Sequence, residues 1–258
     1  VDPIWAGTMM DGTPRLSKKG SPVYHYSALA CFADLAVVPE ASCVPMPASL
    51  PLAVAGLIGC AVTTGMGSVL NTAKVEPGST VAVWGAGGVG LSTIIGADLS
   101  GAARIIAVDR VKEKEAIAKS MGATHVLMAG DDTVERVRKL TEGRGADYVF
   151  ETTGIPEVQE ICLHAARPGG TVVLAGLAPM GSSTQLPGSL ITRQEKTVMG
   201  TYYGTANTAR DFPLYADLHL KKRIDLERLI SKTYSLEEIN EAFEEMISGR
   251  QARGVIVF

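Results

Sequence analysis

From residue 79 onward, short apolar runs alternate with longer stretches whose apolar positions recur at helical spacing. Val81–Trp84 is apolar and β-branched, the composition of a strand buried on both faces. The apolar stretch continuing from Leu91 reads as the helix after it. The same rhythm gives strands at Arg104–Val108, His125–Met128, Asp147–Glu151, Thr171–Ala175 and Thr197–Tyr203. Helices are expected between them at 111–121 (stopped by Gly122), at Thr133–Leu140, and from Pro156 to about Ala166, closed by Pro168-Gly-Gly170. Six strands with intervening helices predict a doubly wound parallel sheet, an α/β fold of Rossmann type.

The flanks have a different texture. Residues 1–50 are rich in turn formers and carry short runs such as Phe32–Val38, which suit an irregular β region. Leu50 to Gly59 is apolar and helical in character, Thr63–Gly67 reads as a turn, and a second helical stretch runs to about Ala73. After the sheet come helical stretches at about 208–222 and 237–248 and a last strand, Gly254–Phe258, outside the alternation. That tail is expected to pack with the first sixty residues, so that one domain interrupts another. The expected division is 1–61, 62–204 and 205–258.

Chemistry enters at the end of the first strand. Gly85, Gly87 and Gly90 stand in G-x-G-x-x-G spacing between the strand and the helix. The first permits the tight turn, the second lets backbone approach a pyrophosphate, and the third allows close helix packing. The free amides and dipole at the helix start favour a phosphate. The spacing alone is weak evidence in a chain with 28 glycines, but Asp109 ends the next strand nineteen residues past Gly90. A carboxylate there can accept from both hydroxyls of an adenosine ribose and repels a 2′-phosphate, which favours NAD over NADP. Arg110 follows, and its guanidinium offers a phosphate a partner. The alternative is a glycine turn in a nucleotide-free α/β domain.

Composition narrows the classes. Charged residues are 20% of the 258 and the net charge is −3, with no sustained basic block and few aromatics, which argues against a nucleic-acid surface. No uninterrupted apolar run reaches eighteen residues; Leu50–Val62 is the longest and is broken by Pro51 and glycines, so no membrane partner is expected. Cys31, Cys43, Cys60 and Cys162 have no close spacing, which suggests no disulfide framework and a reducing, cytoplasmic setting.

At Leu57-Ile-Gly-Cys60, Thr64-Gly65, Gly85-Ala-Gly-Gly-Val-Gly90 and Asp109 the chain resembles the zinc-dependent, medium-chain alcohol dehydrogenases, nearest the formaldehyde dehydrogenase-like bacterial branch. The likeness runs from Met10-Asp-Gly-Thr-Pro-Arg15 through Leu236–Phe243 to Arg253-Gly-Val-Ile-Val-Phe258. It implies a Rossmann sheet inserted in an incomplete, mainly β, GroES-like catalytic domain. It implies hydride transfer between an alcohol, or an aldehyde adduct, and NAD, with zinc as Lewis acid. Residue by residue, Cys60 matches a catalytic zinc ligand, and Thr64 and Val89 match residues flanking the nicotinamide. Gly88 lies within the glycine turn, and Asp109 with Lys114 matches the pair on the adenosine ribose. The backbone of Ala175, Leu177 and Tyr202 matches the carboxamide edge, Arg253 an arginine on the pyrophosphate, and Tyr26 a substrate-pocket side chain. Without the resemblance, Lys114 and Arg253 are as well read as solvated surface residues, and Cys60 as a buried small hydrophobe.

The departures matter as much. The family's other zinc ligands, its proton-relaying Ser or Thr and its structural-zinc cysteine lobe have no match, and His25 is the sole histidine before Cys60. Cys162 and His164, two apart on a helix, face different ways. One thiolate is not a zinc site. With its abrupt opening at Val1, the chain reads as the carboxy-terminal two-thirds of such an enzyme, able to bind NAD but inactive on alcohols. Two alternatives stand beside this: a non-catalytic NAD-binding or assembly module, and a zinc-free quinone-reductase-like enzyme. The Thr197–Tyr203 edge is expected to pair across a twofold axis, giving a homodimer or homotetramer.

Overall fold

The computed structural model describes residues 6–249 and 251–258; Val1–Trp5, which hold the abrupt opening, lie outside them. A small antiparallel hairpin comes first, β1 (Leu16–Lys18) with β2 (Ser21–Val23). Then follow α1 (Leu52–Ala73), β3 (Thr80–Trp84), α2 (Gly88–Leu99), β4 (Arg104–Asp109), α3 (Lys114–Ser120) and β5 (His125–Met128). The second half of the alternation is α4 (Thr133–Leu140), β6 (Ala146–Glu151), α5 (Pro156–Ala165), β7 (Ala166–Leu174), α6 (Gly188–Arg193) and β8 (Thr197–Gly200). The tail is α7 (Thr208–Leu220), β9 (Ile230–Tyr234), α8 (Ile239–Ile247) and β10 (Arg253–Ile256).

Strands β3 to β8 form one parallel sheet in the order β5-β4-β3-β6-β7-β8, so the expected doubly wound sheet is present. The two faces of each strand feed separate cores, as the two-residue period of a strand requires. Val81, Val83, Ile105 and Phe150 pack with α1 and α2, while Ala82, Ile106, Val149 and Val172 pack with α4 and α5. Each of the valines, isoleucines and the phenylalanine, taken from water, stabilises the fold by about 1.5–3 kcal/mol.

The turn expected at Thr63–Gly67 does not exist. Residues 52–73 form one helix of 22 residues, with π-helical stretches at Ile58–Val62 and Ser68–Ala73. Glycine inside a helix costs about 1 kcal/mol against alanine, which is why Gly65 and Gly67 read as turn residues. Their reason is close approach: a Cβ on Gly65 would stand 2.5 Å from Ser92 Cβ and 2.7 Å from Thr93 N of α2. By length and composition α1 could cross a membrane, but 67% of its most apolar window is buried inside the protein, where it serves as a core helix.

Smaller differences follow the same lesson. β7 begins at Ala166, running through Pro168-Gly-Gly170 with a register shift opposite Ala146/Tyr148, where a loop was expected. β8 stops at Gly200, three residues early, and the chain enters a left-handed conformation at Tyr203. β9 was not foreseen; it pairs in parallel with β10 to make a second small sheet. Phe243 of α8 meets Phe32 edge-on at 6.2 Å and 82°, a contact between the tail and the first segment.

Lys196 closes the end of α5. Its buried ammonium donates to the carbonyls of Leu163 (2.5 Å) and Ala166 (2.7 Å). Burial, with Arg138 nearby, pulls its pKa from 10.5 down to about 8.

Two outcomes are expected. Gly65→Ala should lower unfolding stability by about 2–4 kcal/mol in urea titrations, because the methyl meets backbone of α2 that cannot move alone. Between about pH 8 and 10.5 the unfolded state holds the Lys196 proton that the native state has released, so this residue's contribution to stability rises with pH across that window. Lys196→Met should lack that rise when the two proteins are melted side by side.

Candidate functional site

β3 and β6 are neighbours in the sheet, but the helices after them, α2 and α5, lie on opposite faces. A crevice must therefore open beyond their carboxyl ends, where doubly wound sheets hold ligands. The glycine turn forms one wall. Gly85 sits at φ +97° and donates its N–H to Val108 O at 2.8 Å. Gly90 fills the inner corner: a Cβ there would run into the Gly85 carbonyl and stand 2.9 Å from Thr152 Oγ1. Gly87 is extended (φ −83°, ψ −173°) at the helix start, no side chain caps α2, and a Cβ on Gly87 would meet nothing within 4 Å. At Gly87, then, the start of α2 is open; at Gly88 a side chain lies over it.

Arg253 reaches this same point from β10. A Cβ on Gly88 would lie 2.7 Å from its Cζ, and its Nε is buried without a hydrogen-bond partner among the described residues. A cation laid over the positive end of a helix, with an orphaned donor, is an unfavourable arrangement that an anion between them would reverse. The solvated-surface alternative for Arg253 does not hold.

Asp109 forms the floor beside the turn. Its Oδ1 accepts from Val111 N–H (2.9 Å); its Oδ2 accepts from Ala86 N–H (2.6 Å) and from the Lys114 ammonium (3.2 Å). Both side chains of the pair are 10% exposed, so Lys114 is not the surface lysine that sequence alone allowed. The Ala86 bond ties the acidic residue directly to the glycine turn. Arg110 is exposed beside it.

On the same face of the sheet as α2, and packed against it, α1 carries Cys60 and Thr64. Cys60 is exposed, in the first π-helical stretch, contrary to the buried-hydrophobe alternative; Thr64 is buried. Val89, in the first turn of α2, turns its carbonyl toward Gly65. Ala175 donates its N–H to Glu151 O at 2.8 Å, continuing from the end of β7. Leu177 and Tyr202 stand exposed after β7 and β8. Tyr26 is 84% exposed in a short turn whose main chain pairs with Leu29, and no described hydrogen bond joins it to the others.

No group of three or more metal-ligating side chains converges among the described residues. Cys31 and Cys43 are exposed, Cys162 is buried, and His25 Nε2 accepts the Arg15 N–H at 2.9 Å.

Three functional features were missed in the sequence. Thr152 Oγ1 donates to Trp84 O (2.8 Å), with Gly85 O at 3.2 Å, stitching β6 to the glycine turn. Glu151 is fully buried and accepts at Oε1 from Thr153 N–H (2.5 Å), Thr153 Oγ1–H (2.6 Å) and Gly154 N–H (2.9 Å). Glu151-Thr-Thr-Gly154 at a strand end was the available signal. The third is the turn after β8, which only the fold brings against α1.

The zinc-binding dehydrogenase profile matches residues 88–220. The NDMA-dependent alcohol dehydrogenase of Amycolatopsis methanolica is 37% identical over 257 residues, which are 98% of this chain and 69% of that protein. Among solved structures, benzyl alcohol dehydrogenase from Acinetobacter calcoaceticus superposes with TM-score 0.87 at 30% identity, covering 93% of this chain and 67% of that one. An alcohol dehydrogenase zinc-binding domain protein from Burkholderia ambifaria superposes at 0.90 with 33% identity, covering 97% and 68%.

Asp109→Ala strips the turn amide and the Lys114 ammonium of their shared acceptor. It should cost about 2–4 kcal/mol of stability, read by thermal or urea unfolding, while Asp109→Asn should cost less because one amide bond survives.

Proposed function

Since the chain belongs to the zinc-binding dehydrogenase family, whose matched relatives are alcohol dehydrogenases, we propose that it binds NAD in the crevice between β3 and β6. The chemistry this cofactor supplies is hydride exchange with an alcohol or an aldehyde adduct. The carrying observation is the buried Arg253 Nε over the start of α2, without a hydrogen-bond partner among the described residues.

Arg253 and the amides after Gly87 would hold the pyrophosphate, with Gly85, Gly88 and Gly90 keeping the wall free of side chains. Asp109 would accept from the adenosine ribose, with Lys114 beside it; three donors already occupy its two oxygens and leave room for one more. Its charge disfavours a 2′-phosphate, so NAD is preferred to NADP, Arg110 notwithstanding. Thr64 and Val89 would flank the nicotinamide, and the main chain of Ala175, Leu177 and Tyr202 its carboxamide.

Zinc is a different case. A catalytic zinc needs three protein ligands and an open fourth position, and the described residues supply one candidate, Cys60. They do not fit a complete metal centre. This chain is therefore proposed to bind the cofactor without turning over alcohol by itself, with Cys60 as one ligand of a centre completed by groups outside the described residues. The same observation supports the alternative of a non-catalytic NAD-binding module. Tyr26 belongs to the substrate side of the reading. The division 1–61, 62–204 and 205–258, a reducing cytoplasmic setting, and pairing of two copies through β8 belong to this proposal as well. β8 is an edge strand, paired only with β7 among the described residues.

Calorimetry on this chain should show NAD binding with NADP weaker. Arg253→Ala should weaken NAD by about 10–100-fold, the loss of one charge-assisted bidentate contact. Absence of NAD binding by folded protein overturns the reading. Oxidation of ethanol or a longer alcohol by this chain alone overturns the proposed inactivity.

A further inference from the structure

Tyr203, Gly204 and Thr205 form a short left-handed turn, with φ of +56°, +67° and +51°. Two of the three carry side chains that disfavour this region, at about 1–2 kcal/mol each. Such a turn persists only where its surroundings over-determine it, and here they do. Gly204 lies backbone-to-backbone against α1: a Cβ on it would be 2.9 Å from Gly67 Cα and 3.0 Å from Thr64 O. Asn71 Nδ2 donates both to Gly204 O (3.2 Å) and to Asp211 Oδ2 (3.0 Å), while its Oδ1 accepts from Arg210 at 2.9 Å. Thr72 Oγ1 bridges Thr201 Oγ1 (2.8 Å) and Thr205 Oγ1 (2.7 Å). Tyr203 Oη donates to the carbonyl of Gly59.

These contacts fall at positions 59, 63–64, 67 and 71–72 of α1, one stripe of the helix at four-residue spacing. The stripe brackets Cys60 and includes Thr64. Asp211 anchors its far end. Burial pushes that carboxyl up, but bonds from Arg210, the Asn207 amide and Asn71 outweigh it and hold it below the usual carboxylate range.

We propose that Asn71 and Thr72 are positioning residues: by clamping the left-handed turn onto α1 they set the distance between the main chain at Tyr202 and the helix face bearing Cys60 and Thr64, and so seat the nicotinamide end of the cofactor. This rests on the cofactor reading above. Neither residue reaches the glycine turn or Asp109 in any described hydrogen bond, so the clamp's own bonds act on the adenosine and pyrophosphate contacts only through the packing of α1 on α2. The geometry thus divides the cofactor site into an end that the clamp governs directly and an end that it does not.

Binding of NAD and of ADP-ribose, which lacks the nicotinamide, separates the two ends. Calorimetry on the full chain should give Asn71→Ala and Thr72→Val a Kd for NAD raised about 5–20-fold, the loss of one or two hydrogen bonds, with ADP-ribose within about twofold of the parent. Thr72→Ser, which keeps the hydroxyl, should restore NAD binding. A role that is merely structural would weaken both ligands together, and that result, or an unchanged ratio in both variants, overturns the clamp. Should Asn71→Ala fail to fold, the Thr72 pair alone decides. A parent chain that binds neither ligand overturns the cofactor reading and the clamp with it; one that binds both with no change in ratio overturns only the clamp.

Discussion

Everything in this molecule depends on a corner with no room for a methyl group. At Gly90 the first turn of α2 lies against the carbonyl of Gly85 and the hydroxyl of Thr152, so α2 meets the end of β3 backbone to backbone and the end of β6 through one side chain. That contact aims the amide end of α2 out of the sheet and into the crevice. It also places Ala86 where its N–H reaches Asp109, so the glycine turn and the acid at the end of β4 are parts of one hydrogen-bonded unit. Arg253, arriving from near the end of the chain, lies over the same helix start with its Nε unpaired among the described residues.

A second pair of close approaches organises the helix that packs on α2. α1 carries Gly65 on one side and Gly67 on another, and each lets a neighbour come within reach of its backbone: α2 at the first, the left-handed turn at the second. The helix is therefore a spine held between two rigid partners, and its π-helical stretches alter the helical spacing along the segment that bears Cys60. Cys60 lies on the exposed side of the helix's first half, with Gly56 and Gly59, while residues 61–69 are buried.

How much of the site was legible depended on the distance between its parts in sequence. The Gly85–Gly90 turn and Asp109 were readable because strand, turn, helix and acid follow in one βαβ unit, each with its own local requirement. Lys114 and Arg253 could be named but not distinguished from surface residues, since burial is a property of what packs around them. Gly65 and Gly67 were misread as turn glycines for the same reason: φ freedom and close approach call for the same residue, and only the neighbour tells them apart. Asn71, Thr72 and Asp211 gave no signal, because their partners lie about 130–140 residues away.

By itself, then, the sequence determined the parallel alternation, the six strands of the main sheet and the glycine turn between β3 and α2, all of which follow from periodicities and backbone demands confined to neighbouring residues. Only the tertiary structure decided that residues 52–73 are one helix, that the strand after Ala165 begins at once, and that β9 pairs with β10. It alone brought Arg253 over α2 and the turn at 203–205 onto α1. Those outcomes rest on contacts between distant segments, whose free energy outweighs the local preferences of the residues that make them.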